Sequence, residues 1–143
     1  MGDDDNNERN FVIDLHLKKK PKLVDSFAVL RWTQKEKGWQ RIKTLLESAE
    51  KGKETLLMSQ MNLAEVYYKS IRVTGLEQAK KFLETFYLLP ISIVHPPDEL
   101  FWKAAEIKAD YPISLADCFA TATALENDAS IVTGDPESNM LSS

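Results

Sequence analysis

A single cysteine, Cys118, occurs in 143 residues, so no internal disulfide staples the chain. With no second cysteine and no neighbouring histidine, Cys118 does not belong to a zinc site and reads as a small apolar packing residue. No apolar run reaches about 18 residues and no basic-then-apolar leader opens the chain, so the sequence supports neither a membrane span nor a secretory signal. A cytoplasmic location is the default expectation. Gly (5) and Pro (6) are sparse, and no repeat or low-complexity tract follows the first ten residues, which excludes fibrous and repeat architectures. Positive charge is not in excess either: 18 Lys and Arg face 22 Asp and Glu, a net charge of -4. That balance argues against a protein that simply coats nucleic acid through clustered bases. It still allows an enzyme that meets phosphate through bound cations. His16 and His95 have no metal-spaced partner and read as structural.

What remains is an ordinary globular composition, 43% hydrophobic and 28% charged, enough for one domain burying roughly two-thirds of its unfolded surface. Residues 1–10 are acidic and amide-rich, without an apolar anchor, and read as a disordered tail. Residues 11–17 alternate apolar and polar side chains and predict a short strand without a clear role. From Leu23 onward, short apolar runs alternate with stretches of helical periodicity. Strands are predicted at Leu23-Val24, 55–58, 91–95 and 130–133. Helices are predicted after Asp25, over 40–49, through Asn62 to Tyr68, and from Leu76 to Phe86, with Leu76, Ala79, Phe82, Leu83 and Phe86 on one face. Two more follow Asp98, read as a cap after Pro96-Pro97, and Ser114. Trp32, Trp39, Phe101 and Trp102 sit at helical spacing and are expected to pack. Strands alternating with helices predict a mostly parallel sheet covered on both faces.

Four carboxylates stand where an apolar run gives way to a helix or turn: Asp25, Glu65, Asp117 and Asp135. Parallel α/β sheets gather their strand ends and helix starts along one edge, so acids distant in sequence can meet there. Each has a purely structural reading. Asn62-x-x-Glu65 and Ser114-x-x-Asp117 fit the capping box, Asp135-Pro136 fits a turn, and Asp25 fits a cap. Together they suggest more, because four unpaired carboxylates about 4 Å apart repel by roughly 1–4 kcal/mol per pair. Hard divalent cations with oxygen ligands offset that repulsion. The set suits a one- or two-metal site for phosphodiester hydrolysis. Ser26, Ser114 and Thr133 are small hydroxyls beside the acids, able to orient them.

The strings Leu-Val-Asp-Ser-Phe-Ala-Val-Leu (23–30), Asn-Leu-Ala-Glu-Val (62–66), Ser-Leu-Ala-Asp-Cys-Phe-Ala-Thr-Ala (114–122) and Val-Thr-Gly-Asp-Pro-Glu (132–137) resemble the motifs of PIN-domain ribonucleases. The likeness is strongest to the VapC toxins of toxin–antitoxin pairs and covers roughly residues 22–139. It implies a three-layer α/β/α fold around a mostly parallel sheet and Mg²⁺- or Mn²⁺-dependent cleavage of RNA. It also implies homodimers and inhibition by a VapB-like antitoxin. On matching positions, Asp25, Glu65, Asp117 and Asp135 are the acidic metal-binding set. Two departures stand out: relatives usually continue past the Asp-Pro-Glu segment to a final edge strand, which is not expected within these 143 residues, and they begin almost at the first strand. The expected organisation is therefore an N-terminal extension over 1–21 and a PIN-like domain over 22–143.

Two rival functions follow from the same residues. A PIN-like binding module would hold antitoxin or RNA without cutting it. Aspartyl-phosphate chemistry also uses acids at parallel strand ends. It fits less well, because Asp25 is followed by Ser26 and Phe27 rather than by a second Asp two residues on, and no paired-acid receiver pattern is present.

Overall fold

A computed structural model describes residues 19–133. The expected tail, the predicted strand at 11–17, His16 and Asp135 lie outside them. Among the described residues four strands form one parallel sheet: β1 (Lys22–Val24), β2 (Leu56–Ser59), β3 (Ile91–Val94) and β4 (Ser130–Val132), in the order β3-β2-β1-β4. Six helices connect them: α1 (Ser26–Thr33), α2 (Trp39–Glu50), α3 (Gln60–Thr74), α4 (Leu76–Phe86), α5 (Asp98–Asp110) and α6 (Leu115–Glu126). The α/β class and parallel sheet expected from the sequence are what the chain adopts.

Strand alternation divides the core. Val24, Leu56, Met58 and Val132 point to one face, where they pack with Ala28, Ile42, Leu46, Val66 and Phe86 from α1 to α4. Leu23 and Ile131 point to the other and meet Ala120 and Ala124 of α6. Beyond them, Leu100 and Ala104 of α5 pack on Cys118, Phe119 and Ala122. The result is three layers, helix on sheet on helix. Cys118 is fully buried there, and burial raises its thiol pKa, chiefly through desolvation.

Chain direction explains the layering. The path β1 to β2 to β3 steps across the sheet one way, and the crossover from β3 to β4 steps back past β1. Right-handed crossovers therefore place the helices of the two legs on opposite faces. The reversal falls between β1 and β4, paired as Lys22 with Ser130, Leu23 with Ile131 and Val24 with Val132. Between α3 and α4 the turn is made by Gly75 alone, at φ 88° and ψ 164°, a conformation side chains disfavour.

Some local expectations shift. Asp98 does not cap α5; Pro97 holds the cap position without a side-chain bond, and Asp98 and Glu99 occupy the first turn, where they favour the helix dipole. Trp102 does not pack: it is 70% exposed, because the inner stripe of α5 is set by Leu100 and Ala104 and Trp102 lies two residues off it. Phe101 meets Phe119 edge to face, with ring centroids 4.9 Å apart. No helix among the described residues is long and apolar enough to cross a membrane.

Candidate active site

In parallel sheets the crevice beyond the strand ends opens where strand order reverses. Here that point lies beyond Val24 and Val132, and Asp25 is the next residue after β1. Its backbone N–H donates to the Val132 carbonyl at 3.2 Å, extending the β1–β4 pairing by one step. Its carboxylate Oδ1 accepts the Ala28 N–H at 2.9 Å, so Asp25 is the N-cap of α1. The residue is 2% exposed. Thr133, also buried, follows β4 at the same crevice.

Asp117 arrives from the opposite layer. Ser114 caps α6, its Oγ accepting the Asp117 N–H at 3.1 Å, which sets Asp117 in the first helical turn. Asp25 and Asp117 line one cavity of about 420 Å³. Its apolar floor includes Ile107 and Ile131, α5 supplies Lys103, Glu106 and Asp110 to the wall, and Tyr111 joins them just past the helix end. Negative charge therefore outweighs positive in the cavity.

Glu65 is held differently. It is half-buried on α3 and pairs with Lys69 one turn later, Nζ to Oε2 at 3.7 Å, and it is not part of the cavity lining. Nor does Asn62 form a capping box with it. β2 runs through Ser59, whose Oγ accepts the Met61 N–H at 3.3 Å and caps α3, so Asn62 falls inside the helix.

There Asn62 has another task. Its Nδ2 donates to Ser26 Oγ at 3.1 Å and to the Ala116 carbonyl at 3.3 Å, while Ser26 Oγ donates to the Asn62 carbonyl at 3.2 Å. One amide thus ties together the helix start beside Asp25, the helix turn before Glu65 and the residue before Asp117. Asn62 is 1% exposed, and its Oδ1 is buried without a hydrogen-bond partner. Sequence reasoning missed this role, although a signal was present: Asn62 occupies a core position, one turn ahead of buried Val66. The α5 wall was missed too, since nothing in the spacing of Lys103, Glu106 and Asp110 distinguishes a cavity wall from a solvated helix face.

The residues can be tested against a divalent cation. Among the described residues, no three His, Cys, Asp or Glu side chains gather closely enough to hold a metal by themselves. Mg²⁺, however, is commonly bound by one or two carboxylates, with waters and substrate phosphate filling its octahedron. Asp25 and Asp117 on one cavity meet that need, and the donor chemistry is hard oxygen throughout. The orphaned Asn62 Oδ1 adds an uncompensated buried acceptor among the junctions that carry the acids. The site fits such an ion.

Solved structures of the same fold are recognisable. The chain is 16% identical to the Mycobacterium tuberculosis toxin VapC20, described as cleaving the sarcin–ricin loop, with TM-score 0.68 over 84% of this chain and 94% of that one. It is 16% identical to VapBC2 of Rickettsia felis, solved on a promoter DNA fragment, with TM-score 0.63 over 83% and 91%. A toxin–antitoxin complex from Klebsiella pneumoniae is also 16% identical, with TM-score 0.58 over 80% and 86%. At these identities the likeness is one of fold. No curated protein sequence matches the chain. The PIN domain model matches residues 22–139, a span that begins at β1 and takes in every junction bearing one of the four acids, and the chain belongs to the PIN domain family.

Proposed function

We propose that this protein is a divalent-metal-dependent ribonuclease and the toxin of a toxin–antitoxin pair. The observation that carries the reading is the meeting of Asp25 and Asp117 at one cavity, at the switch point of a parallel sheet, in a PIN-family chain. Asp25, Glu65, Asp117 and Asp135 are the acids proposed to hold Mg²⁺ or Mn²⁺, with Ser26, Ser114 and Thr133 supporting them. A divalent ion held there would supply Lewis-acid charge for phosphodiester hydrolysis. The protein's part is to place the carboxylates: Asp25 through its cap and its Val132 bond, Asp117 through Ser114, and all three described junctions through Asn62. VapC20 is described as a toxin that cleaves the sarcin–ricin loop, and the Klebsiella structure is a toxin–antitoxin complex. By analogy a VapB-like antitoxin is the proposed partner, a homodimer the proposed assembly and the cytoplasm the proposed location. Residues 1–21 are proposed as an extension to a PIN domain over 22–143.

A second reading draws on Glu65, which pairs with Lys69 outside the cavity lining. On that reading the chain is a PIN-fold module that binds RNA or antitoxin without cutting. Cleavage of a labelled RNA panel by wild type and Asp117→Asn, with Mg²⁺, Mn²⁺ or EDTA, separates the two. The nuclease reading expects metal-dependent cutting by wild type alone. Equal cutting by both proteins, or cutting in EDTA, would sink it, and a folded wild type that never cuts supports the module.

A further inference from the structure

Lys103, Glu106 and Asp110 line the cavity from one face of α5, and Tyr111, the extended residue that follows the helix, lines it too. Two of these side chains are not used by the fold. Lys103 is exposed and makes no ion pair among the described residues, although carboxylates line the same cavity. Tyr111 is 52% exposed, and its ring meets no other ring or cation among the described residues.

The backbone under Tyr111 is nevertheless fixed. Its N–H donates to the Ile107 carbonyl at 3.0 Å, closing α5. Pro112 follows and holds it extended, and Lys108 Nζ donates to the Ile113 carbonyl at 2.7 Å. An aromatic ring on a fixed stem, beside a cavity and open to solvent, is a preorganised stacking surface. Along the helix axis Lys103 lies roughly 12 Å away. Glu106 and Asp110 between them repel phosphate, which confines the nucleic-acid backbone to the Lys103 end.

We infer that Tyr111 and Lys103 form a substrate subsite for unpaired RNA, with the Tyr111 ring stacking on a splayed base and the Lys103 ammonium contacting a phosphate next to the acids. Duplex RNA does not satisfy this arrangement, because its bases are stacked internally and offer no free face. The inference rests on the ribonuclease reading and deepens it by naming two residues that hold the substrate.

Fluorescence anisotropy of a labelled single-stranded oligoribonucleotide with the full chain, in Ca²⁺ buffer, tests the subsite without turnover. Tyr111→Ala weakens binding about tenfold, and Tyr111→Phe, which keeps the ring, weakens it less. Lys103→Gln weakens binding and lowers the slope of log affinity against log salt by about 0.7. Trp102→Ala, an exposed aromatic on the same helix outside the cavity, binds as wild type does. A matched duplex binds more weakly than the single strand. Wild type that binds no single strand, or Tyr111→Ala and Lys103→Gln that both stay within twofold of wild type, overturns the subsite. In a parallel cleavage assay with Mg²⁺ the same variants raise KM more than they lower kcat. Failure of the nuclease reading looks different: the anisotropy pattern persists while wild type cuts no RNA in Mg²⁺ or Mn²⁺.

Discussion

Replacing Asn62 with alanine removes two donated hydrogen bonds, to Ser26 Oγ at 3.1 Å and to the Ala116 carbonyl at 3.3 Å. Each net bond of this kind contributes about 1 kcal/mol. The amide is 1% exposed, so its loss also leaves a small cavity, worth on the order of 1 kcal/mol. Against this, the unpartnered Oδ1 disappears with the side chain, which relieves an existing penalty of about 1 kcal/mol. The net cost is about 2 kcal/mol, or a Tm lower by roughly 6 °C for a domain of this length. Urea unfolding monitored by circular dichroism measures it directly. The bond that Ser26 Oγ donates to the Asn62 backbone carbonyl survives the change, so the fold persists and Mn²⁺ binding by calorimetry can be compared at equal folded fraction. That binding is expected to weaken as the acid-bearing junctions loosen. A stability loss under about 0.5 kcal/mol with unchanged Mn²⁺ affinity would refute the idea that Asn62 brackets the site.

Asp25 separates capping from metal binding: Asp25→Asn keeps an acceptor for the Ala28 N–H and stays within about 0.5 kcal/mol of wild type, whereas Asp25→Ala costs about 1 kcal/mol more. Both are expected to lose Mn²⁺ binding in calorimetry, and retained binding in Asp25→Asn would remove it from the ligand set. At the other end of the sheet, the Glu54 side chain is 7% exposed and bonded to Lys22 at 2.6 Å and Lys19 at 3.3 Å. The Lys22 bond, more than any other contact, holds its pKa below the usual 4.5. A depressed carboxylate stabilises the fold above its unfolded pKa and loses that contribution as pH falls through its folded value. Glu54→Gln should therefore cost about 1 kcal/mol at pH 7, discounted for the exposure of the lysines, and flatten the stability profile below pH 4.5. Denaturation midpoints across that range check it. Phe86 is 1% exposed in the main core, so Phe86→Ala should cost about 3–5 kcal/mol in chemical denaturation.

How much of this was legible depended on the range of the signal. The spacing of Leu76, Ala79 and Phe86 gave α4 and its buried face, and the Leu23-Val24 to Asp25 junction gave the end of β1, because local periodicity and capping decide both. The capping role of Asn62 was misread because β2 extends one residue past its apolar run, handing the cap to Ser59 and freeing the amide for contacts with Ser26 and Ala116. Trp102 was misread as packed because its helix was assigned correctly but not its rotation, which Leu100 and Ala104 fix. The cavity itself was hidden in the sequence. Asp25, Lys103, Asp117 and Ile131 converge only through a crossover that spans the whole sheet, and on α5 a lining lysine has the same pattern as a solvated one.

The bond from the Asp25 N–H to the Val132 carbonyl also sets an order of events. β1 is the first described strand and β4 the last, so their pairing is the longest-range contact in the sheet and the slowest loop to close. During synthesis β1, β2 and β3 can associate while β4 is still in the ribosome, but the cavity cannot, since Ile131 is part of its lining. Asp25 and Asp117, the proposed ligands, share that cavity only once β4 has docked. A chain built this way assembles the proposed active centre only after residues 130–132 have been made.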